Sequence, residues 1–318
     1  MNVALSEAEN ESLKSYLEML KSLGLEKASA SIQLSEKDIS TPSFTHKSSE
    51  FAQSYTNSPE SRGGIFCNFA GQCWPAKFVY GLTDVILERG VQLYTRSQVS
   101  KVVHRWTPTD EYEILVEDLN SHHLDNHVSM MDRIRCQHVV YATNGYIGHL
   151  IPELKSTIRP TQGQVLATSP VKLSIPGNTW YDYGYLYMIQ RPCGRLILGG
   201  CRNKHPKGEE PTIDDSQTSS VVSSELRNFL VKMFPQLKNQ GFSIEYEWTG
   251  IMGFTPDTLP MVGNLRGREW IAAGYTGYGM PKCFGSGKAI ADMISGKLSQ
   301  DEFIPQYHPS RFWPASKL

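Results

Sequence analysis

The sequence predicts a mixed fold, α/β in one part and α+β in another, and three stretches carry that prediction. At residues 269–296, "EWIAAGYTGYGMPKCFGSGKAIADMISG", a short apolar strand runs through a glycine turn into an amphipathic helix. At 138–143, "HVVYAT" reads as a strand that runs into Asn144-Gly145. Between them, "RPTQGQVLATSP", "TWYDYGYLYMIQRP" and "GRLILGGCR" follow one another as sheet strands separated by Gly and Pro turns.

Length and composition set the limits within which these stretches are read. The 318 residues give room for one large or two ordinary domains with a real core, and 40% apolar with 20% charged residues is ordinary globular composition. A formal net charge of −1 supplies no basic footprint for nucleic acid or an anionic membrane, so neither is expected as a partner. No apolar stretch approaches the roughly eighteen residues of a membrane-spanning helix, and a soluble protein is expected. The six cysteines, Cys67, Cys73, Cys136, Cys193, Cys201 and Cys283, form no C-x-x-C pair, so no metal site is written in them and a reducing compartment suits them.

Taken in order, the elements begin with a helix signalled by the capping box Ser6-x-x-Glu9, with Leu13, Tyr16, Leu17, Leu20 and Leu23 at helical spacing before Gly24. Residues 40–62, rich in Ser, Thr and Pro, read as a long surface connection. A second helix is expected from Pro75 to about Arg89, with Phe78, Leu82, Val85 and Ile86 turned inward and Gly90 ending it. The strands "VQLYT", "SQVSKVV" and "EYEILVED" follow, and "HVVYAT" is expected to be the most buried strand of their sheet. His122, His123 and His127 sit in a polar loop that reads as a solvated hairpin tip rather than a metal site. A later helix is expected in "SSVVSSELRNFLVKMFPQL". Tyr181, Tyr183, Tyr185 and Tyr187 recur at period two on one strand face, either as sheet packing or as a wall facing a ligand.

The glycine turn has a mechanical reading of its own. Gly274, Gly277 and Gly279 allow a tight backbone without side chains, and Pro281 suits the first turn of a helix in which Lys288 and Asp292 pair and which Gly296 stops. Such a helix start offers N–H groups and positive dipole potential to an anion or a polarised oxygen. The spacing is G-x-x-G-x-G, the reverse of the dinucleotide fingerprint, and "GKA" at 287–289 is not a phosphate loop.

Six ordered segments carry a resemblance. "GGIFCNFAGQCWPAKFVYGLTDVILERGVQLYTRSQVSKV", "VVYATNGYIGHLIPEL", "IRPTQGQV", "GRLILGG", "EWTGIMGFTPDTLPMVG" and "AAGYTGYGMPKCFGSGKAIADMI" resemble, in order and spacing, FAD-dependent oxidoreductases of the D-amino-acid oxidase (DAO) family, on its amine-oxidising, gamma-glutamylputrescine oxidase-like side. That resemblance implies a Rossmann-like FAD/NAD(P)-binding domain lacking its first βαβ unit, joined to a DAO-type substrate domain with an antiparallel sheet. It places Val99 beside the adenine of FAD through its backbone, and "ATNG", Ala142, Thr143, Asn144 and Gly145, near the pyrophosphate end. Gly277, Tyr278, Gly279, Met280 and Pro281 would lie under the flavin ring, where the helix start would stabilise charge developing as hydride reaches the flavin. Imine hydrolysis and flavin reoxidation by oxygen would complete the cycle. No general base is implied.

Two departures shape the substrate expectation. Family members acting on amino acids hold the carboxylate with an arginine in W-x-G-x-R, whereas "WTGIM" puts Met252 there, so a small amine is expected as substrate. Tyr185 and Tyr187 would then hold its ammonium by cation–π attraction. Gly250 stands where some relatives carry a tethering cysteine, which implies noncovalent FAD. The second departure is the missing G-x-G-x-x-G unit of about thirty residues, which leaves either an incomplete reading of a longer protein or a natural truncation that does not bind FAD. Its loss would expose the edge of "HVVYAT" and the terminal helix.

The resemblance divides the chain into a substrate-domain start with a long loop (1–62), remaining FAD-binding segment (63–158), substrate domain (159–248), C-terminal FAD-binding segment (249–298) and extended tail (299–318). The tail ends in Ser316-Lys317-Leu318, the tripeptide read by the peroxisomal import receptor, so a peroxisomal location is expected, with a cytoplasmic one as the alternative.

Overall fold

The computed structural model describes residues 1–22, 44–67, 71–105, 111–119, 131–206 and 211–313. The histidines of the 120–129 loop and the tripeptide Ser316-Lys317-Leu318 lie outside these, as do Leu23 and Gly24. Two compact units divide the chain, Met1–Cys73 with Gln162–Glu210 and Asp214–Gly250, and Trp74–Thr161 with Pro211–Ile213 and Ile251–Leu318.

In chain order the first unit opens with β1 (Asn2–Val3), α1 (Glu7–Ser22), β2 (Phe44–Lys47), α2 (Ser49–Thr56) and β3 (Gly64–Cys67). The second follows with α3 (Pro75–Glu88), β4 (Ser97–Arg105), β5 (Glu111–Asp118), β6 (Met131–Cys136), β7 (Val139–Tyr141) and α4 (Ile147–Leu150). Strand β8 (Arg159–Thr168) begins a return to the first unit, which adds β9 (Thr179–Tyr181), β10 (Leu186–Gln190), β11 (Leu196–Gly200), α5 (Ser220–Met233), α6 (Leu237–Gln240) and β12 (Ile244–Phe254). The second unit closes with β13 (Met261–Arg266), β14 (Glu269–Ala273) and α7 (Met280–Ile294).

The first unit is built on a sheet in the order β12-β8-β11-β10-β9-β1-β3-β2. Residues 63–73 belong here and not with the 63–158 segment, because β3 pairs antiparallel with both β1 and β2. One face of the sheet meets α5: Leu166, Leu186, Met188, Leu196 and Leu198 pack on Val222, Leu226 and Leu230 in a single apolar cluster. Alternation then turns Val165, Tyr187, Ile197 and Gly199 to the opposite face. Helix α1 starts as its capping box predicts, the Glu9 amide donating to Ser6 Oγ at 3.1 Å, while the Glu9 carboxylate accepts from the Leu5 amide at 2.8 Å.

The connection expected over 40–62 is instead partly regular, since β2 and α2 occupy it. Ser48 caps α2 by accepting the Phe51 amide at 3.3 Å, and Asn57 closes it in the left-handed region at φ 55°. The polar residues that read as loop are therefore caps, a role that composition does not distinguish. The run of tyrosines is also not one strand face. Residues 182–184 form a 3₁₀ turn with Asp182 and Tyr183 at positive φ, which leaves Tyr181 fully buried on β9, Tyr183 exposed and Tyr187 on β10.

The second unit holds two sheets of three strands among the described residues, β4-β5-β6 and β13-β14-β7. Strand β14 runs parallel to β7 and antiparallel to β13. Its core gathers Tyr141, Ile147, Ile151, Leu154, Ile158, Met261, Leu265, Ile271 and Trp313. "HVVYAT" is not the most buried strand: β7 is the edge of its sheet, and Val140 is 45% exposed. Helix α3 forms over the expected residues, but none of its side chains is buried, and Phe78, Val79, Leu82 and Val85 are exposed. "VQLYT" pairs with no described strand, and Val91, Leu93 and Tyr94 are exposed, because an extended segment becomes a strand only beside a partner. Among the described residues no helix is long and apolar enough to cross a membrane, and no group of His, Cys, Asp and Glu is arranged to hold a metal ion.

Candidate functional site

Because β7 and β14 are parallel, with Val139 opposite Glu269 and Tyr141 opposite Ile271, their carboxyl ends lie side by side. Ligands of open α/β sheets bind outside such ends. A turn leaves each: Ala142 to Tyr146 after β7, and Gly274 to Gly279 after β14. Asn144, at φ 44°, joins them, its Oδ1 accepting the Gly274 amide at 2.9 Å. The end of β12 meets the second turn, where the Thr276 amide donates to the Gly253 carbonyl at 2.8 Å. Gly274 and Gly277 both adopt φ 79°, where a side chain is strained, and a Cβ on Gly274 would meet Thr255 Cγ2 at 2.6 Å.

These turns wall a cleft of about 580 Å³. Val140, Ala142, Asn144, Met252, Gly277, Gly279 and Met280 line one part of it, and Cys283, Ile290 and Ile294 of α7 another. At the start of α7 the amides of Lys282 and Cys283 both donate to the Gly279 carbonyl at 2.8 Å, and Pro281 occupies the first turn. The helix dipole is thus positive toward the cleft at Gly279 and Met280. Burial pushes the Tyr275 phenol up to about 12 against a hydrogen bond with Ser286, so this cleft residue stays neutral at ordinary pH.

A second cavity of about 680 Å³ lies in the same unit and is lined by Val99, His138, Val140, Thr143 and His149, among others. Trp270 Nε1 donates to His138 Nδ1 at 3.2 Å.

The residues singled out in the sequence separate accordingly. Ala142, Gly277, Gly279, Met280 and Met252 share the first cleft, and Val99 and Thr143 line the second cavity. Gly145 is buried in close contact, a Cβ there falling 2.9 Å from the Met252 carbonyl oxygen. Tyr278 is 53% exposed with Lys282 Nζ 5.8 Å from its ring centroid, and neither it nor Pro281 lines the cleft. Tyr185 and Tyr187 belong to the first unit, and the ring of Tyr185 already carries a cation: Arg202 Cζ lies 4.3 Å from its centroid. Tyr185, expected to hold an ammonium, thus has the Arg202 guanidinium against its ring. Asn144, within the run 142–145 that the resemblance places near the pyrophosphate end, links the two turns, and Asn-Gly at the end of a strand signals such a left-handed turn.

The sequence pattern of the FAD dependent oxidoreductase (DAO) family matches residues 9–293. The chain belongs to this family. Among relatives in the DAO family, it is 27% identical over 257 residues to gamma-glutamylputrescine oxidoreductase of Escherichia coli K12, covering 77% of this chain and 54% of that protein. It is 25% identical over 247 residues to the probable oxidoreductase OrdL of Haemophilus influenzae, covering 74% and 50%. The chain thus spans about half the length of these curated relatives. L-proline dehydrogenase from P. horikoshii matches it with a TM-score of 0.70 at 21% identity over 98% of this chain and 75% of that one. Glycine oxidase from Geobacillus kaustophilus matches with a TM-score of 0.74 at 15% identity over 96% and 73%. At such identities these likenesses establish the DAO-type fold, which the sequence predicts, and the family cofactor is FAD.

Proposed function

We propose that this chain serves FAD-dependent oxidation of an amine, with the ring end of noncovalent FAD in the cleft between the turns after β7 and β14. The supporting observation is the wall those turns make: Gly277 and Gly279 present bare backbone, and the positive end of α7 stands beside them. The residues present fit the cofactor. The cleft sides are chiefly apolar at Val140, Ala142, Met252 and Ile290, which suits a flat aromatic ring, and the cavity containing Val99 and Thr143 suits the adenosine end.

When bound, FAD supplies the hydride acceptor for a C–N bond, with reoxidation by oxygen. The chain's own contribution is to position the ring against Gly277 and Gly279, to exclude water with Met252 and Met280, and to offset negative charge at the start of α7. Met252, at the position of the clamping arginine, supports an amine donor over a simple amino acid, as does the similarity to gamma-glutamylputrescine oxidoreductase.

The test is anaerobic addition of amines and of amino acids to the protein after incubation with FAD, following loss of flavin absorbance. Bleaching by amines is expected. Bleaching by amino acids alone would overturn the amine assignment.

A further inference from the structure

Asn144 uses only half of its side-chain amide to hold the fold. The Gly274 amide is a donor, so the side-chain atom 2.9 Å from it is the acceptor Oδ1, and the orientation of the Asn144 amide follows. That oxygen faces inward, toward the end of β12: a Cβ on Gly253 would fall 2.7 Å from it. The other half, Nδ2 with its two N–H donors, meets no acceptor among the described residues and is not enclosed. It belongs to a side chain that lines the first cleft.

The turn that carries Asn144 stands between two spaces. Ala142 and Asn144 line the first cleft, Thr143 between them lines the second cavity, and Val140 borders both. The two spaces therefore meet at this turn, inside one compact unit. Among the described residues no Asp, Glu, Lys or Arg lines either space. A bound oxyanion at the junction would meet neutral donors and no carboxylate, and hydrogen bonds to an ionised acceptor are the strong ones.

We propose that Asn144 Nδ2 donates to an oxygen of the FAD pyrophosphate where the cofactor passes from the first cleft to the second cavity. The inference rests on the FAD reading above and deepens it: within one side chain, Oδ1 ties the two turns together and Nδ2 is left for the ligand.

The experiment titrates FAD with the full chain, followed by fluorescence, for the native protein, Asn144→Asp and Asn144→Gly, beside melting curves of all three. Asn144→Asp keeps an acceptor for the Gly274 amide and tolerates φ 44°, but sets a carboxylate against the pyrophosphate. Asn144→Gly accepts the same backbone and loses both side-chain contacts. Stability should therefore fall in the order native, Asn144→Asp, Asn144→Gly. Affinity for FAD should fall in a different order, native, Asn144→Gly, Asn144→Asp, the last by roughly 10- to 100-fold. A residue that only ties the turns would give one order for both measurements. FAD binding by a folded Asn144→Asp within about twofold of native, or tighter than by Asn144→Gly, would overturn the proposal. The phosphorus-31 resonances of FAD should shift on binding to the native chain and shift less with Asn144→Gly; equal shifts would put the contact on the flavin ring and overturn the pyrophosphate assignment. A native chain that does not bind FAD would sink the cofactor reading itself, whereas FAD binding indifferent to charge at position 144 sinks this inference alone.

Discussion

The amide of Gly274 donates to Oδ1 of Asn144 across 2.9 Å, and this bond ties together the turns that leave two parallel strands 130 residues apart in sequence. Asn144→Ala removes the acceptor and the residue type that tolerates φ 44°, so a loss of about 1–3 kcal/mol is expected in denaturant unfolding. Asn144→Asp keeps both features and should cost clearly less.

Two glycines of the same turn make a graded pair. Gly274→Ala combines strain at φ 79° with a contact of 2.6 Å to Thr255, whereas Gly277→Ala has the same φ but only Met252 Sδ at 3.8 Å. Gly277→Ala should cost about 1–2 kcal/mol from backbone strain and Gly274→Ala more. Equal melting temperatures for the two variants would contradict this ordering.

Tyr141 predicts an alkaline limit to stability. Burial pushes its phenol well above the ordinary range, and the hydrogen bond it donates to Glu269 Oε2 at 2.6 Å adds to the shift. A folded value above the unfolded one, about 10, gives stability that is present below that pH and lost as pH rises beyond it. Unfolding measured from pH 8 to 11 should show a falling slope above 10, and Tyr141→Phe should flatten it.

At the acid end the corresponding group is Asp257. Burial raises its carboxyl, but hydrogen bonds from Arg311, at 2.7 Å from Nε, and from the Leu259 amide outweigh that and hold it below the usual range. Stability from this pair is present above about pH 4 and lost as pH falls through the lowered value. Asp257→Asn should be less stable at pH 7 but lose less on acidification, which melting curves would check.

What could be read from the sequence follows from where its information is local. Strand β14, the glycine turn and α7 are marked by period, glycine and proline within thirty residues, and each forms as read, including the Lys288–Asp292 pair and Gly296 at φ 72°. The family was legible because six segments each hold local backbone chemistry. Elements that depend on a distant partner were not: "VQLYT" has strand composition but no described neighbour, and the apolar stripe of α3 predicts burial that is not found among the described residues. Ser48 and Asn57 were hidden for the opposite reason, because the same residues make loops and caps. Arg202 was missed because its position over Tyr185 depends on the positive φ of Cys201, a conformation that its residue type does not announce.

A flavin titration of the 318-residue chain bears on the whole assignment. Increasing protein should quench and polarise FAD fluorescence and perturb its visible spectrum, and Gly277→Val, which puts a branched side chain into the turn, should abolish the effect while the rest of the chain still melts cooperatively. A chain that leaves the FAD spectrum unchanged, or a Gly277→Val variant that binds FAD as well as the native one, would contradict the cleft's assignment as the flavin site.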